Sequence, residues 1–416
     1  MPETKGDFYD RLEVRSAASR DKSLLTALSG FLHQAIENAP AVANQLNGID
    51  PTCIDSFTAL ATIQLMRKSE LIEKQQASLP FGELNGTPVA RLGKIFVSPG
   101  PIYDPEGTRP DYWRFARAMF AAGFRPGDLV HNTFAYHLTP AGSMAESGAR
   151  ALGCPVIAAG TGQTEKQLQV IAQLRPTAYV GTPSFLKILL EKAREDKVDA
   201  SSIKKALVSG EAFPPALAKQ FEQEFGISAF QCYATADIGL IAYETQAREG
   251  LVIDEEVIVE IVRPGTGDLV AEGEVGEVVV TVFNPDYPLI RFATGDLSAV
   301  IPSPSPCGRT NRRLKGWMGR ADQTTKIKGM FVHPKQIADI VGRHPEIAKA
   351  CLIVTSSNSQ DSMQLECEVE QASLDLEKGI NASLKTVTNL NGKVTFVAPG
   401  SLANDGKVID DRREQG

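Results

Sequence analysis

Residues 129–209 read LVHNTFAYHLTPAGSMAESGARALGCPVIAAGTGQTEKQLQVIAQLRPTAYVGTPSFLKILLEKAREDKVDASSIKKALVS, and this stretch decides the fold. Short apolar runs at 129–134, 154–159, 178–181 and 206–209 read as strands. Between them, 141–152, 164–174 and 183–196 read as helices. Alternation at this spacing predicts parallel strands with helices packed on the sheet faces. The fold class is α/β. In open sheets of this kind ligands bind beyond the carboxyl ends of the strands. The segments at 98–107, 133–142, 209–215 and 233–239 are therefore where chemistry is expected.

Outward from this core, Leu24, Leu25, Leu28, Phe31, Leu32, Ala35 and Ile36 recur at helical spacing and predict a helix over 23–38, ended by Pro40. Residues 63–76 form a second amphipathic segment. Trp113, Phe115 and Met119 read as core. From 251 to 283 alternating residues and turn signals suggest antiparallel hairpins, with Asp254-Glu255-Glu256 as a solvated edge. After Trp317 a small α+β unit begins, with a helix at 334–343 and strands at 350–355 and 364–370. A boundary near 319–322 gives a large domain, 1–320, and a small one, 321–416.

The chain has 416 residues, with 43 Lys+Arg against 50 Asp+Glu, so its formal net charge is −7. That length predicts two or three structural units. Hydrophobic residues at 43% and charged residues at 22% exclude a disordered chain. The acidic balance, with no Lys/Arg-rich stripe, argues against nucleic acid as a partner. No run approaches the ~18 apolar residues of a membrane span, and the polar N-terminus has no signal-peptide core. Six scattered cysteines with no C-x-x-C pair read as reduced thiols of a cytoplasmic protein. Cys307 alone supplies one ligand where structural zinc needs four.

Two segments carry the chemistry. The first is Pro288-Leu289-Ile290-Arg291-Phe292-Ala293-Thr294-Gly295-Asp296-Leu297. The second is Gly319-Arg320-Ala321-Asp322-Gln323-Thr324-Thr325-Lys326-Ile327-Lys328-Gly329. A Gly lets backbone approach a ligand, and Asp296 after it offers two acceptors to vicinal hydroxyls, as on ribose. Alone, Thr-Gly-Asp reads as a strand-ending turn. Together, in this order, the segments resemble the adenylate-forming superfamily of acyl- and aryl-CoA synthetases. The resemblance narrows to the phenylacetate–CoA ligase family at Cys307-Gly308-Arg309-Thr310, Gly162-Gln163-Thr164-Glu165-Lys166-Gln167, Thr182-Pro183-Ser184, Ser209-Gly210-Glu211, Leu79-Pro80-Phe81-Gly82 and the ending 405–413.

The resemblance implies a two-step reaction. A carboxylate attacks the α-phosphorus of ATP, giving an acyl-adenylate and pyrophosphate; coenzyme A then displaces AMP. It also implies a mobile small domain turning at Asp322, Mg2+ as cofactor and a homodimer. Asp296 would grip the ribose with Arg320 beside it, Gly210 and Glu211 would line the adenine, and Tyr233 would stack on it. Lys407 matches the lysine that offsets charge during adenylation. The acid, a small-molecule carboxylate, would lie against Phe134, Tyr136 and His137, whose apolar and aromatic walls suit an aromatic ring. The family tends to have Gly where His137 stands, which implies a smaller or more polar pocket.

Two departures from the family bear on activity. Its Gly/Ser/Thr-rich phosphate loop ends in a Lys and cradles phosphate with N–H and hydroxyl groups. Here the corresponding residues run Val97-Ser98-Pro99-Gly100-Pro101-Ile102-Tyr103-Asp104-Pro105-Glu106-Gly107. Three prolines remove donors, and Asp104 and Glu106 add negative charge, leaving Ser98 and Gly100 of the loop chemistry. Second, Tyr233-Ala234-Thr235-Ala236-Asp237 puts Asp237 where the family has a magnesium-holding Glu; Asp remains a hard-oxygen ligand. Two readings stay open. One is an ATP-dependent ligase whose outer phosphates are held by groups such as Arg109 and Lys94. The other is an adenylate-binding homologue with lost or altered adenylation. A pure scaffold, a third class, predicts no stabilisation by AMP.

Overall fold

The computed structural model describes residues 8–98, 101–264, 266–318, 320–321, 325–327, 330–332, 334–357, 360–403 and 407–413. The chain divides into two units. The first takes in 1–259, 279–294 and 301–316, the second 260–278, 295–300 and 317–416.

The alternation in 129–209 builds the parallel half of a nine-stranded sheet. Val156–Ala158, Val130–Asn132, Ala178–Gly181, Lys205–Val208 and Ser228–Thr235 lie side by side and parallel. The helices Ala141–Ala151, Thr164–Leu174 and Pro183–Glu195 connect them. Local chemistry fixes the ends of the last of these helices. Thr182 caps Pro183–Glu195 by accepting from the Phe185 amide, Pro183 opens the first turn, and Lys192 and Arg194 lie in the last. From Ser228–Thr235 the sheet continues antiparallel through Gly239–Glu244, Leu251–Ile253 and Arg313–Leu314. Trp113, Phe115 and Met119 are buried in its core, as their spacing predicts.

The first helix runs Ala17–Asn38, starting before the apolar pattern because Ser16 caps it by accepting from the Ser19 amide. Pro40 not only follows its end but opens another helix, Pro40–Gln45, at N1. A larger difference concerns Asp254 and Glu255, which are buried rather than a solvated edge; Glu256 alone is exposed. Arg15 and Arg20 hold Glu255 at 3.0 and 2.8 Å, and Arg114 and Arg117 hold Asp254, each at 3.3 Å. Arg117 also grips Asp10 through both terminal nitrogens, at 3.0 and 2.9 Å. Glu13 accepts from the Tyr243 hydroxyl at 2.7 Å and Arg309 Nε at 3.1 Å. Charges this deep persist because they are paired.

In the second unit, Lys393–Val397, Gln360–Val369, Ile347–Ser357 and Ile409–Asp411 form a four-stranded sheet in that order. The helices Pro334–Arg343 and Leu374–Thr388 contribute Ile337, Ile340, Ile380 and Leu384 to the core beneath it, with Leu352, Leu365 and Ile409 from the strands. The helix read from sequence at 334–343 forms as expected. Among the described residues no helix is long and apolar enough to cross a membrane.

Candidate functional site

Parallel strands end together, and the residue just past each end is placed by its neighbours. Ser209 follows Lys205–Val208; its amide donates to the Gly181 carbonyl at 3.2 Å and its hydroxyl to the Cys232 carbonyl at 2.8 Å. Three strands are thereby tied at one level. Gly210 then turns with φ +83°, a left-handed conformation that a side chain disfavours. A Cβ built there would meet Thr182 Cγ2 at 3.8 Å and Phe134 Cε1 at 3.9 Å. The glycine assigned to the nucleotide and the phenylalanine assigned to the acid are therefore neighbours. Glu211 is exposed, and its Oε2 accepts from the Ser184 amide at 3.3 Å. Tyr136 is half-buried, its hydroxyl accepting from Asn132 Nδ2 at 2.8 Å, whereas His137 on the same turn is exposed.

Tyr233 lies in Ser228–Thr235 and donates from its hydroxyl to Thr294 Oγ1 at 3.2 Å. This bond orients the ring, and a stack on adenine, the role the resemblance implies for Tyr233, would not need it. Tyr233→Phe is expected to hold AMP within about threefold of wild type, consistent with a typical hydrogen bond's small net worth. Tyr233→Ala should weaken AMP roughly tenfold or more, on the ~1–3 kcal/mol of a base–aromatic stack. Isothermal titration with AMP checks both; equal losses would remove the ring from the adenine site.

The stretch read as a poor phosphate loop is a regular hairpin. Lys94–Ser98 pairs antiparallel with Ile102–Glu106, Val97 opposite Tyr103 and Ser98 opposite Ile102. Gly100 lies outside the described residues. The hairpin buries the two acids expected to repel phosphate, which corrects that reading. Glu106 accepts from Trp113 Nε1 at 2.6 Å and Ser143 Oγ at 2.7 Å, and Lys94 lies 3.0 Å away. Lys94, offered from sequence as a phosphate holder, is thus engaged by a buried carboxylate. Arg109, the other candidate, donates to the Tyr112 carbonyl at 3.1 Å and lies over the Tyr112 ring.

Asp104 is fully buried, and neither oxygen has a hydrogen-bond partner among the described residues. Burial first, and then the Asp237 carboxylate, push its pKa up to about 8 against the pull of Ser98 and Lys68. The Ser98 hydroxyl, itself buried, is turned toward the Ile102 carbonyl at 3.5 Å. Asp237 is also buried; its Oδ2 accepts from Lys68 Nζ at 2.6 Å, while Oδ1 has no partner among the described residues. Tyr287 belongs to the same group, its hydroxyl pushed up by burial and then by Asp237 and Asp104. An orphaned, buried carboxylate oxygen is what a hard divalent cation takes as ligand, so Asp237 fits the magnesium role.

In the second unit, Asp296 is buried beside a left-handed Gly295 (φ +78°). Its Oδ1 accepts from Arg320 at 3.0 Å and from Trp317 Nε1 at 3.1 Å. A Cβ on Gly295 would lie 2.7 Å from an Arg320 nitrogen, so the glycine makes room for the guanidinium. The structure brings Asp296 and Arg320 together. Lys407 is exposed, 3.4 Å from Asp410. Asp322 lies outside the described residues.

Lys68 and Thr294 were missed from sequence. Lys68 opens the helix Lys68–Ala77 straight after Met66–Arg67, a two-residue strand parallel to Phe292–Ala293. No local pattern announces so short a strand. Thr294 stood inside the quoted motif, but its bond to Tyr233 spans 61 residues.

Comparison with known proteins agrees with this geometry. Residues 113–282 match the family model of the AMP-binding enzyme, and 329–412 match that of the AMP-binding enzyme C-terminal domain. Phenylacetate-coenzyme A ligase of Thermus thermophilus is 30% identical over 78% of this chain and 75% of its own. That of Aromatoleum evansii is 28% identical over 97% of both chains. The chain belongs to the phenylacetate-coenzyme A ligase family of AMP-binding enzymes. Among solved structures, 2-hydroxyisobutyryl-CoA ligase in an open conformation, complexed with 2-HIB-AMP and CoA, is 27% identical over 97% of this chain and 93% of its own, with a TM-score of 0.74.

Proposed function

We propose that this chain is an ATP-dependent acid–CoA ligase. It forms an acyl-adenylate from an aromatic or related flat carboxylic acid, and then the coenzyme A thioester. The observation that carries the reading is the meeting of Gly210 and Phe134 where parallel strands end, in a family whose named relatives are acid–CoA ligases. In the first step a carboxylate oxygen bonds to the α-phosphorus and pyrophosphate leaves; in the second the thiolate bonds to the acyl carbon and AMP leaves. Tyr233 stacks on adenine beside Gly210 and Glu211, Asp296 orients the ribose with Arg320, and Lys407 offsets charge on the α-phosphate. Phe134 and Tyr136 wall the acid, with His137 at the rim. Asp237 would hold magnesium, which when bound withdraws charge from the leaving pyrophosphate. The same reading takes 321–416 as the mobile domain, turning at Asp322 between the steps. It also takes the protein as a cytoplasmic homodimer, whose mass light scattering checks.

Radiolabelled ATP–pyrophosphate exchange with a panel of aryl and alkyl acids tests it. Exchange should appear with flat aromatic acids. The pairing of Lys94–Ser98 with Ile102–Glu106, which engages in a ladder backbone groups that a phosphate cradle would present, favours a second reading in which adenylation is lost and an adenylate is only bound. Silence in exchange with every acid, alongside measurable AMP binding, would select that reading.

A further inference from the structure

We infer that Asp104 is a second carboxylate ligand, beside Asp237, for the divalent cation that accompanies the nucleotide, delivered by the hairpin that replaces the phosphate loop. Three carboxylate oxygens, both of Asp104 and Oδ1 of Asp237, are buried with no hydrogen-bond partner among the described residues. Asp104 is 0% and Asp237 3% exposed. Such atoms are costly unless something positive reaches them. Lys68 reaches Asp237 Oδ2 only, so two carboxylates share one cationic side chain. The helix Lys68–Ala77 joins them: Lys68 grips Asp237, while Gln75 donates to the Tyr103 carbonyl beside Asp104 at 2.9 Å and accepts from the Tyr103 amide at 2.8 Å.

A dication balances two carboxylates where one ammonium cannot. All-oxygen ligands suit Mg2+ or Mn2+ rather than zinc. Among the described residues no group of three or more His, Cys, Asp or Glu stands ready as a complete cage. The remaining positions would fall to phosphate oxygens and water, as is usual for magnesium at nucleotides. With the cation seated, Lys68, its side chain 27% exposed, no longer has to neutralise Asp237 and can serve an anionic oxygen. Through Asp104 the hairpin would then hold a cation to which phosphate is drawn.

The inference rests on the adenylating reading for its co-ligand, but its test does not. MnCl2 is titrated into the full chain without nucleotide, and free Mn2+ is read by electron paramagnetic resonance. Wild type should bind one Mn2+, and Asp104→Asn should bind it roughly tenfold or more weakly with an unchanged circular dichroism spectrum. Infrared spectra of wild type, which need no variant to fold, should show carboxylate bands that shift on adding Mn2+. The idea is overturned if wild type binds no Mn2+ or if Asp104→Asn binds it equally well. A carboxylic-acid band that survives excess Mn2+ also overturns it, because the two acids would then share a proton instead. A failure of pyrophosphate exchange leaves all these readouts intact.

Discussion

Glu255→Gln is expected to destabilise the first unit by about 3–5 kcal/mol, the usual consequence of removing one partner from a buried ion pair. Glu255 has a fully buried side chain whose oxygens accept from Arg20 Nε at 2.8 Å, Arg20 Nη2 at 3.1 Å and Arg15 Nη2 at 3.0 Å. Arg20 is itself almost wholly buried and cannot turn to water when the carboxylate goes. The amide would leave two guanidinium charges facing one weak acceptor. Glu256→Gln, one residue on and exposed, should change stability by no more than about 0.5 kcal/mol. Urea unfolding reads both, as a lowered midpoint at unchanged slope for Glu255→Gln alone. The difference should survive 1 M salt, since buried pairs are little screened. Equal midpoints for the two variants would mean that Glu255 is hydrated in solution. Acid should act on the same network through Asp10. Burial raises that carboxyl, but Arg117 more than offsets it and holds the pKa below its usual value. Its contribution is therefore present above the ordinary carboxylate range and is lost as pH falls through the lowered value.

This network also marks where sequence reading runs out. Strands and helices over 129–209 were legible because each is announced by its own local pattern, within a dozen residues, and the last helix by its Thr182 cap as well. The turn at Gly210 was legible because it follows a strand end, whereas Asp296, read in a strand-ending turn, lies inside the strand Phe292–Ser298. The partners of Asp254 and Glu255 were not, since Arg15, Arg20, Arg114 and Arg117 lie 137 to 240 residues away. Three acids in a row look solvated until distant arginines are folded onto them. The ladder at Lys94–Glu106 was hidden for a related reason. Proline costs a backbone donor, yet an edge ladder tolerates it, and the fold buries Asp104 and Glu106 where the sequence suggests surface charge. The motif ending at Gln167, quoted for family likeness, holds the chain itself together. Its amide donates to the Gly160 and Gly162 carbonyls at 2.9 and 2.8 Å, and its oxygen meets His131 Nε2 at 2.8 Å.

Lys407→Ala is expected to slow adenylation by about 10²–10³-fold, the loss typical when one group stabilising transition-state charge is removed. Lys407 lies two residues before Ile409–Asp411, a strand that pairs parallel with Ile347–Ser357, Ile409 opposite Leu352. Its base is anchored while its side chain remains 44% exposed. Asp410, which it approaches at 3.4 Å, is held more closely by Arg412 at 2.7 Å. Losing Lys407 therefore leaves Asp410 partnered, and the fold of the second unit should be unaffected. The proposed reading brings Lys407 to the α-phosphate in the first step alone, before the small domain turns, so the second step supplies the control. Thioester formation from a supplied acyl-adenylate should stay within about threefold of wild type, because a group acting only in one transition state affects only that step. Lys407→Arg should recover part of the loss, since it keeps the charge but not the compact ammonium. Pyrophosphate exchange reads the first step and thioester release the second. If both steps fell together, Lys407 would be acting through the fold; if exchange were unchanged, another cation would carry the role.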